Sequence, residues 1–376
     1  MLESIIVYSL LAFIMIVGGQ SVVKTSENIN VEHVLGYIIP IFAFTFVFGC
    51  RYDVGIDYLH YLNAYLYGTE RESEPVFRFI TDFMSSNGIH YAFYFALWAF
   101  IQISLVYYAL KNHKYLLPYI AFFFIFGTYF MSMMNVMRQQ LAACVFMVTI
   151  LFIEDKKLIK YLLCILIASI FHRSALLLII VYPILVFKDD WFQNIYLQLI
   201  IYFAAIIISI SFEDRFIAAL EGPFMLFTNI TGYDDTYRYA ILEIESLNSR
   251  TQFGNNTGLG IYINMFLTLP VLIMSKKLKC FYNSTYFNII YTLWFVSIIA
   301  GHLFGNSIIL FRPFVYLVNF KFVMLSFFAY YCVKSKGYIN TMLFLGFVFI
   351  HFAIFLNIIS NGEVNKSRFL FFWDKF

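Results

Sequence analysis

The sequence predicts an all-α, polytopic integral membrane protein with about twelve transmembrane helices. Three observations support this class: 62% of the 376 residues are hydrophobic, 12% are charged, and the mean hydropathy is +0.79. Soluble domains carry about 25% charged residues and roughly half apolar ones. The apolar runs are continuous rather than alternating, and lipid offers backbone amides no partners, so we expect each run to be a helix.

Twelve apolar runs follow one another along the chain. They cover residues 4–23, 33–50, 91–110, 115–134, 139–153, 158–171, 174–187, 194–211, 258–274, 284–303, 314–333 and 338–359. Residues 1–23 contain no Lys or Arg, so the first run is predicted to stay as a span rather than be cleaved as a signal peptide. The five cysteines are scattered, without the spacing of a metal site or a disulfide framework.

Lysine and arginine are predicted to lie on opposite sides of the membrane. Counting spans places twelve lysines in loops on one side, which the positive-inside rule assigns to the cytoplasm, and both termini outside. All ten arginines then fall on the outer side. Because Arg pairs bidentately with phosphate or carboxylate, this preference indicates an anionic ligand outside. The alternative is compositional drift, which should scatter Arg to both sides.

The segment between Lys160 and Lys188 is too short for two full crossings, which need about 40 residues. Either two short helices meet at His172 and Arg173, or one long helix runs through and the chain has eleven spans. The single helix would place the later lysine clusters outside, so we favour the short pair. It puts His172 and Arg173 at membrane depth, where a charge has to face a protein cavity.

The predicted architecture is one transmembrane domain, residues 1–376, with two long outer segments. Residues 51–90 include an amphipathic helix expected to lie in the membrane interface. Its predicted apolar face carries Val76, Phe77, Ile80, Phe83 and Met84, and its polar face carries Arg78, Thr81, Asp82 and Ser85. Residues 212–257 are rich in Asp, Glu, Tyr, Asn and Gly and are predicted to form a small outer loop domain, a substrate lid or platform.

The motif "RYDVGIDYLHY" at 51–61 places charges directly after an apolar run. If its second half is helical, Asp53 and Asp57 lie one turn apart on one face, as do Asp57 and Tyr61. A carboxylate beside a membrane cavity is a candidate general base, because desolvation raises its pKa. The alternative is an ordinary polar loop with an Arg–Asp pair.

Two further motifs carry polar residues at predicted helix ends. In "NVMRQQLAA" at 135–143, Asn135, Arg138 and Gln139 fall on one helix face at an end that also favours an anion. In "FHRSA" at 171–175, His172 adjoins Arg173 at predicted membrane depth. The alternatives are an interface anchor for the first motif and a packed histidine for the second.

A fourth motif, "FRPFVYLVNFKF" at 311–322, places Arg312, Tyr316 and Asn319 on one face and Lys321 near mid-membrane. The alternative is an interfacial Arg and a Lys paired with a neighbouring helix. The chain has no HExxH, GxSxG, P-loop or DxD motif, and nothing in it predicts nucleotide or nucleic-acid binding. Any chemistry is therefore expected to use a donor presented in the membrane.

These motifs, together with "EPVFRFI" at 74–80, resemble in order and spacing the EpsG family of bacterial Wzy-type polymerases of exopolysaccharide, capsule and O-antigen. The resemblance covers about residues 50–317. It implies a fold related to the glycosyltransferase-C superfamily in the bacterial cytoplasmic membrane. It also implies transfer of a glycan chain from undecaprenyl diphosphate to a lipid-linked repeat unit at the outer face. A chain-length regulator and a flippase of the same pathway are the implied protein partners.

The residues are assigned to roles by this combined interpretation. Asp57 is the first candidate base, followed by Asp53 and His172. The predicted substrate-binding residues for diphosphate and sugar are Arg51, Arg138, Arg312, Arg173, Asn135, Gln139, Tyr58 and Tyr61. No metal and no cofactor are expected. The competing hypotheses are an O-antigen-type ligase or O-acyltransferase, and a flippase or other transporter of the same lipid-linked unit.

Overall fold

A computed structural model describes residues 1–27, 29–68, 74–211, 258–305, 308–363 and 366–375. Helices dominate these ranges, and extended pairing within them is confined to one antiparallel bridge between Arg51 and Phe371. The chain forms two compact units. The first unit contains Met1–Asp189 and Phe322–Phe376, and the second contains Asp190–Lys321.

The first unit is built largely from long apolar helices. They are α1 (Leu2–Lys24), α2 (Val31–Gly49), α3 (Tyr58–Tyr67), α4 (Pro75–Ser86), α5 (Tyr91–Ala109), α6 (Leu117–Phe126), α7 (Phe130–Asn135), α8 (Met137–Glu154), α9 (Leu158–Phe171) and α10 (Val181–Phe187). Short 3-10 helices at Lys114–Leu116 and Arg173–Ile180 precede α6 and α10.

The second unit contains α11 (Ile195–Ser211), α12 (Leu259–Ile273), α13 (Ser275–Tyr282), α14 (Thr285–Phe304) and α15 (Ile308–Phe311), followed by a 3-10 helix at Arg312–Leu317. The next helix, α16 (Asn319–Lys334), begins in the second unit and continues in the first. The chain returns fully to the first unit with α17 (Tyr338–Ser360) and a short 3-10 helix at Phe372–Lys375.

Within the described residues, seven helical segments are long and apolar enough to cross a membrane, or eight if the bent pair α12–α13 counts as one span. Four shorter apolar segments, Lys114–Phe126, Leu158–Phe171, Arg173–Phe187 and Ile195–Ser211, coincide with other predicted runs. The predicted class of an all-helical, multi-pass membrane protein is therefore confirmed. The number of about twelve crossings stays a prediction.

The structure interrupts the helix between Lys160 and Lys188 where the sequence predicts a break. Helix α9 ends at Phe171, and His172 is extended, with φ −155° and ψ 111°. The 3-10 helix that follows folds back on α9, where the Tyr161 hydroxyl donates to the carbonyl of Leu178. Two short helices therefore meet at His172, as predicted.

Helix α4 exists as predicted, but its two faces differ from those expected. Phe77 is 1% exposed and Thr81 is 6% exposed, because both face the protein. The Thr81 hydroxyl lies 3.0 Å from the Tyr94 hydroxyl, so its predicted place on the polar face is wrong. Phe83, predicted on the apolar face that lies in the membrane interface, is exposed and stacks on Phe79, which is exposed too. An interfacial position for α4 stays a prediction.

Helices α1 and α2 cross at two glycines. A Cβ built on Gly36 would lie 2.8 Å from Cγ2 of Val22 and 2.9 Å from the carbonyl oxygen of Gly18. A Cβ on Gly18 would lie 2.3 Å from Cγ of Pro40. Small residues of this kind let two membrane helices approach closely, which maximises their dispersion contacts.

Replacing Gly36 by Ala should therefore separate α1 from α2. Overpacking of this kind costs about 1–3 kcal/mol. Thermal unfolding of the purified protein in one detergent measures the effect. Gly337→Ala is the matched control, because a Cβ there would meet Asn340 at an ordinary 3.5 Å. Equal unfolding temperatures for the two variants would contradict the proposed close crossing.

Candidate functional site

The loop after α2 is held by the last residues of the chain. The amide of Tyr52 donates to the carbonyl of Leu370 at 2.8 Å, and the amide of Phe372 donates to the carbonyl of Cys50 at 2.9 Å. The amide of Gly55 donates to the carbonyl of Lys366 at 2.7 Å. Residues about 310 positions apart therefore share one short antiparallel pairing. No feature of the sequence indicates this pairing, because it depends on where α17 ends.

Arg51 lies inside this loop and is 1% exposed. The Cζ atom of its guanidinium is 5.6, 5.6 and 5.0 Å from the ring centroids of Phe48, Tyr58 and Phe95. The guanidinium donates to the carbonyl of Met134 at 3.3 Å. Burial lowers the pKa of Arg51 to about 10, so the side chain remains protonated at neutral pH. The Arg51 cation is thus enclosed by protein, and its predicted contact with a diphosphate stays a prediction.

The two aspartates of the first motif do not share a helix face. Helix α3 begins at Tyr58, and Asp53 lies outside it in the left-handed region, with φ 50°. The Asp53 carboxylate pairs with the Lys366 ammonium at 2.7 Å. The predicted one-turn spacing of Asp53 and Asp57 is therefore wrong. Asp57 is partly exposed directly before α3, and its carbonyl accepts from the amide of Tyr61 one turn later, as predicted.

Asn135 joins the second motif to the first. Its Oδ1 accepts from the amide of Ile56 at 2.7 Å. Gly55, with φ 100°, passes so close that a Cβ there would lie 2.7 Å from the same oxygen. Only glycine combines this backbone conformation with this approach. Asn135, predicted to bind substrate, therefore holds the loop that carries Asp53 and Asp57.

Arg138 is paired with Glu74, a residue that the sequence pattern did not assign to the site. Its Nη1 donates to Oε2 of Glu74, the first residue of "EPVFRFI". The Glu74 side chain is 4% exposed, whereas the Arg138 side chain is 23% exposed and keeps a surface that a ligand can reach. The only signal for Glu74 in the sequence is its position at the start of the motif "EPVFRFI". The ion pair with Arg138 explains why an acidic residue occupies that position.

The predicted single face of Asn135, Arg138 and Gln139 is wrong because the helix is broken. Helix α7 ends at Asn135, Val136 has φ −92° and ψ 59°, and α8 begins at Met137. The break turns Asn135 toward the loop and leaves Arg138 in the first turn of α8. Gln139 is 4% exposed.

Four of the five motifs meet on one aromatic cluster. Tyr58 stacks on Phe95 with centroids 4.7 Å apart, Phe77 stacks on Trp98 at 4.5 Å, and Phe171 meets Trp98 edge-on at 6.2 Å. The buried members of this cluster, called the aromatic cluster below, are Tyr58, Tyr61, Leu62, Tyr65, Phe77, Tyr94, Phe95, Trp98, Met137 and Leu141, with Phe171 packed against them. Motifs at 51–61, 74–80, 135–142 and 171–177 therefore share one core.

Tyr58 and Tyr61, predicted as sugar platforms, belong to this cluster and are 0% and 3% exposed. Burial raises the pKa of Tyr58, and its hydroxyl donates to the carbonyl of Arg51 at 3.0 Å. Their role in the structure is packing rather than presentation of an open ring. On the same segment, Tyr52 and His60 are partly exposed.

The third motif reaches the same cluster through Phe171. The next residue, His172, is partly exposed, and its Nδ1 lies 2.8 Å from the Ser174 hydroxyl. Arg173 is exposed. The structure therefore places His172 and Arg173 beside the cluster, with both side chains at least partly accessible.

Arg312, the last predicted phosphate ligand, lies in the second unit. It opens the 3-10 helix Arg312–Leu317 and is partly exposed, while Tyr316 is 0% exposed. A shared site for Arg312 and Arg138 stays a prediction, as does the platform at 212–257, which lies outside the described residues. In the described parts of the chain, no three His, Cys, Asp or Glu side chains group in a way that could hold a metal ion.

The site in the first unit thus combines guanidinium, carboxylate and imidazole groups at one end of its helices. Arg138 is held by a buried acid, Asp53 by a lysine from the chain end, and Asp57 stands at the start of a helix. Guanidinium groups stabilise phosphate oxygens, and a carboxylate or imidazole accepts a proton from a hydroxyl. The arrangement can therefore support transfer of a group from a phosphate leaving group.

Replacing Glu74 by Gln should destabilise the protein by about 1–3 kcal/mol, because a neutral amide replaces the buried carboxylate that pairs with the Arg138 guanidinium. The matched control is Asp82→Asn on α4, which breaks the exposed Arg78–Asp82 pair at 3.8 Å. Exposed pairs contribute about 0.2–1 kcal/mol. Denaturant or thermal unfolding measures both variants. Equal losses would contradict the structural importance of the Arg138–Glu74 pair.

Ending the chain at Glu363 should release the loop after α2. Hydrogen exchange of the Tyr52 and Gly55 amides should accelerate by about tenfold or more, since each amide loses its acceptor. A chain ending at Trp373 keeps these acceptors and serves as the control. If both truncated proteins exchange like the full chain, the pairing with the chain end does not hold the loop.

The comparison with known families agrees with the motif set. The family model described as the EpsG family matches residues 34–371, a range that contains all five motifs. No curated protein and no solved structure matches the chain. The family points to a polymerase-type glycosyltransferase of exopolysaccharide synthesis. By the extent of this match, the chain belongs to the EpsG family.

Proposed function

We propose that this chain polymerises oligosaccharide repeat units at the outer face of the cytoplasmic membrane of a bacterium. It transfers a growing glycan from undecaprenyl diphosphate to a sugar hydroxyl of a second, lipid-linked repeat unit. Capsule, exopolysaccharide and O-antigen are the product classes that such a reaction serves. The substrates are membrane-borne, so no soluble nucleotide donor is required.

The observation that carries this proposal is the meeting of four motifs on the aromatic cluster, with the Arg138–Glu74 pair beside it. Chain segments far apart in sequence bring one partly exposed cation and several proton acceptors to one end of the first unit. Ionisable groups next to a hydrophobic span are energetically costly, so stability alone does not explain why so many of them lie together here. The absence of arginine from the predicted cytoplasmic loops supports an outer site.

In the proposed reaction, Arg138 and Arg173 bind the diphosphate and stabilise the charge that develops on it. Arg312, in the second unit, is a further proposed diphosphate ligand. Glu74 orients Arg138. The hydroxyl oxygen of the acceptor sugar forms a bond to the anomeric carbon of the donor chain, and the bond from that carbon to the diphosphate oxygen breaks. The hydroxyl proton passes to the base, and undecaprenyl diphosphate leaves with the electron pair of the broken bond.

Asp57 is the proposed base, with His172 the next candidate. Asp53 is the weaker of the two aspartates for this role, because Lys366 already engages its carboxylate. Arg51, Asn135, Tyr58 and Tyr61 are positioning residues in this proposal, since each is buried and bonded within the loop scaffold or the aromatic cluster. Gln139 is buried as well and is proposed as a positioning residue in the first turn of α8.

The proposed partners follow from the substrate. The glycan arrives on a lipid carrier, so a flippase has to deliver it to the outer leaflet, and a chain-length regulator would act on the same growing product. Residues 212–257 are proposed to cover the acceptor sugar. No metal or other cofactor takes part, because the arginines neutralise the diphosphate.

The test is a strain that lacks this gene, complemented with wild type, Asp57→Asn or Arg138→Ala. We expect the deletion to accumulate single lipid-linked repeat units on the outer leaflet, with no long chains. Loss of a base lowers the rate about 10²–10⁴-fold, and loss of one charge-stabilising donor about 10²–10³-fold. Both variants should therefore fail to restore polymer. Arg78→Ala, on the exposed face of α4, is the control and should restore it.

Three outcomes would contradict the proposal. Units trapped on the inner leaflet would indicate a flippase. Long chains that are made but not attached to their carrier or not acylated would indicate a ligase or an acyltransferase. Normal polymer in the Asp57→Asn and Arg138→Ala strains, with both proteins inserted in the membrane, would remove these residues from the mechanism.

A further inference from the structure

Lys321 is a cation in the middle of a membrane-spanning segment and is the last residue of the second unit. It is the tenth of the 23 residues in the apolar segment Arg312–Lys334. It lies in the first turn of α16, where the helix dipole disfavours positive charge. Neither the lipid nor the helix therefore explains a lysine here, and charged residues in spans generally mark a functional contact.

Acids are scarce among the described residues of the second unit. Within 190–211, 258–305 and 308–321, the only acidic residue is Asp190. Asp190 is already paired with Lys279 at 2.6 Å, and both side chains are largely buried. Lys321 takes part in none of the ion pairs formed by the described residues. The described part of the fold therefore supplies a carboxylate to Lys279 and none to Lys321.

The Lys321 side chain reaches a face of α14 that carries an unpaired polar group. Its ammonium faces α14 at Gly301, where an added Cβ would lie 3.5 Å from Nζ. Ser297 lies one turn earlier on the same face of α14 and is 0% exposed, and its hydroxyl has no hydrogen-bond partner.

Buried polar groups without partners are rare in folded proteins, and each requires an explanation. Here the Lys321 ammonium and the Ser297 hydroxyl lie at the same face of α14, and Lys321 forms no ion pair with a described residue. This set can donate several hydrogen bonds and carries one positive charge, so it is complementary to an oxyanion. A cation or an apolar ligand would leave the same groups unsatisfied.

We propose that Lys321 and Ser297 form an oxyanion site for the diphosphate of a polyprenyl-linked glycan. The identity of the ligand rests on the function proposed above, whereas the presence of an oxyanion site rests on the second unit alone. Arg312 begins the same segment, so positive charge extends from its end to its middle. Gly301 leaves the space in which the anion contacts the ammonium.

The test compares Lys321→Met with Lys279→Met in the purified full chain, reconstituted in phosphatidylcholine nanodiscs. Without ligand, Lys321→Met should raise the unfolding temperature or leave it unchanged, because it removes a cation that has no anion. Lys279→Met should lower it, because it leaves Asp190 buried and unpaired. A fall for Lys321→Met equal to that for Lys279→Met would show that Lys321 serves the fold and would overturn the proposal.

Binding is measured with farnesyl diphosphate, inorganic pyrophosphate and phosphatidylglycerol as probes. Farnesyl diphosphate should stabilise the wild type, bind about tenfold or more weakly to Lys321→Met, and keep its affinity for Lys279→Met. Lys321→Arg should retain part of the affinity. Unchanged affinity in Lys321→Met would overturn the site. Equal binding of inorganic pyrophosphate, or Lys321-dependent binding of phosphatidylglycerol, would overturn the assignment to a lipid-linked diphosphate.

These measurements do not depend on polymerisation. Suppose that farnesyl diphosphate binding depends on Lys321, and that the deletion strain still makes polymer. This result would uphold the oxyanion site and contradict the proposed function. A deletion strain that accumulates repeat units, with binding that ignores Lys321, would uphold the function and contradict this site.

Discussion

The buried and partly buried cations of the described residues have few acids to pair with, and this constraint shapes both units. Charged residues are 12% of the chain, and hydrocarbon surrounds much of the fold. Arg138 uses the carboxylate of Glu74, Lys279 uses that of Asp190, and Arg51 uses main-chain carbonyls and aromatic faces. Each solution ties together segments that are distant in the chain, so the cations determine which elements meet.

The loop after α2 depends on this network from three directions. Arg51 fixes its inner side, Asn135 binds the amide of Ile56, and the end of the chain pairs with its outer edge. The candidate base Asp57 follows directly on this loop. A substitution in α7 or in the last ten residues should therefore alter the position of Asp57 without contacting it. The reason is that rigid supporting residues position a reactive side chain.

Several features could be predicted from the sequence because they depend on local pattern. The apolar runs coincide with helices, and the break at His172 followed from a segment too short for two crossings. The single-face interpretation of Asn135, Arg138 and Gln139 failed because α7 and α8 are separated by one non-helical residue, Val136. Thr81 was assigned to solvent because a hydroxyl is polar, yet Tyr94 supplies a partner within the protein.

Composition and charge pattern by themselves determined the class of protein, the helical runs and the five motifs that identify the family, because hydrophobicity and spacing are local properties of the chain. Only the tertiary structure decided which charges are enclosed and which stay accessible. Arg51 and Arg138 both lie in motifs beside apolar runs, and the sequence does not distinguish them. Arg51 is 1% exposed, whereas the Arg138 side chain is 23% exposed. The physical reason is that the partner of each charge comes from a distant segment of the chain. Only packing brings Glu74, the Lys366 ammonium or an aromatic ring within contact distance of that charge.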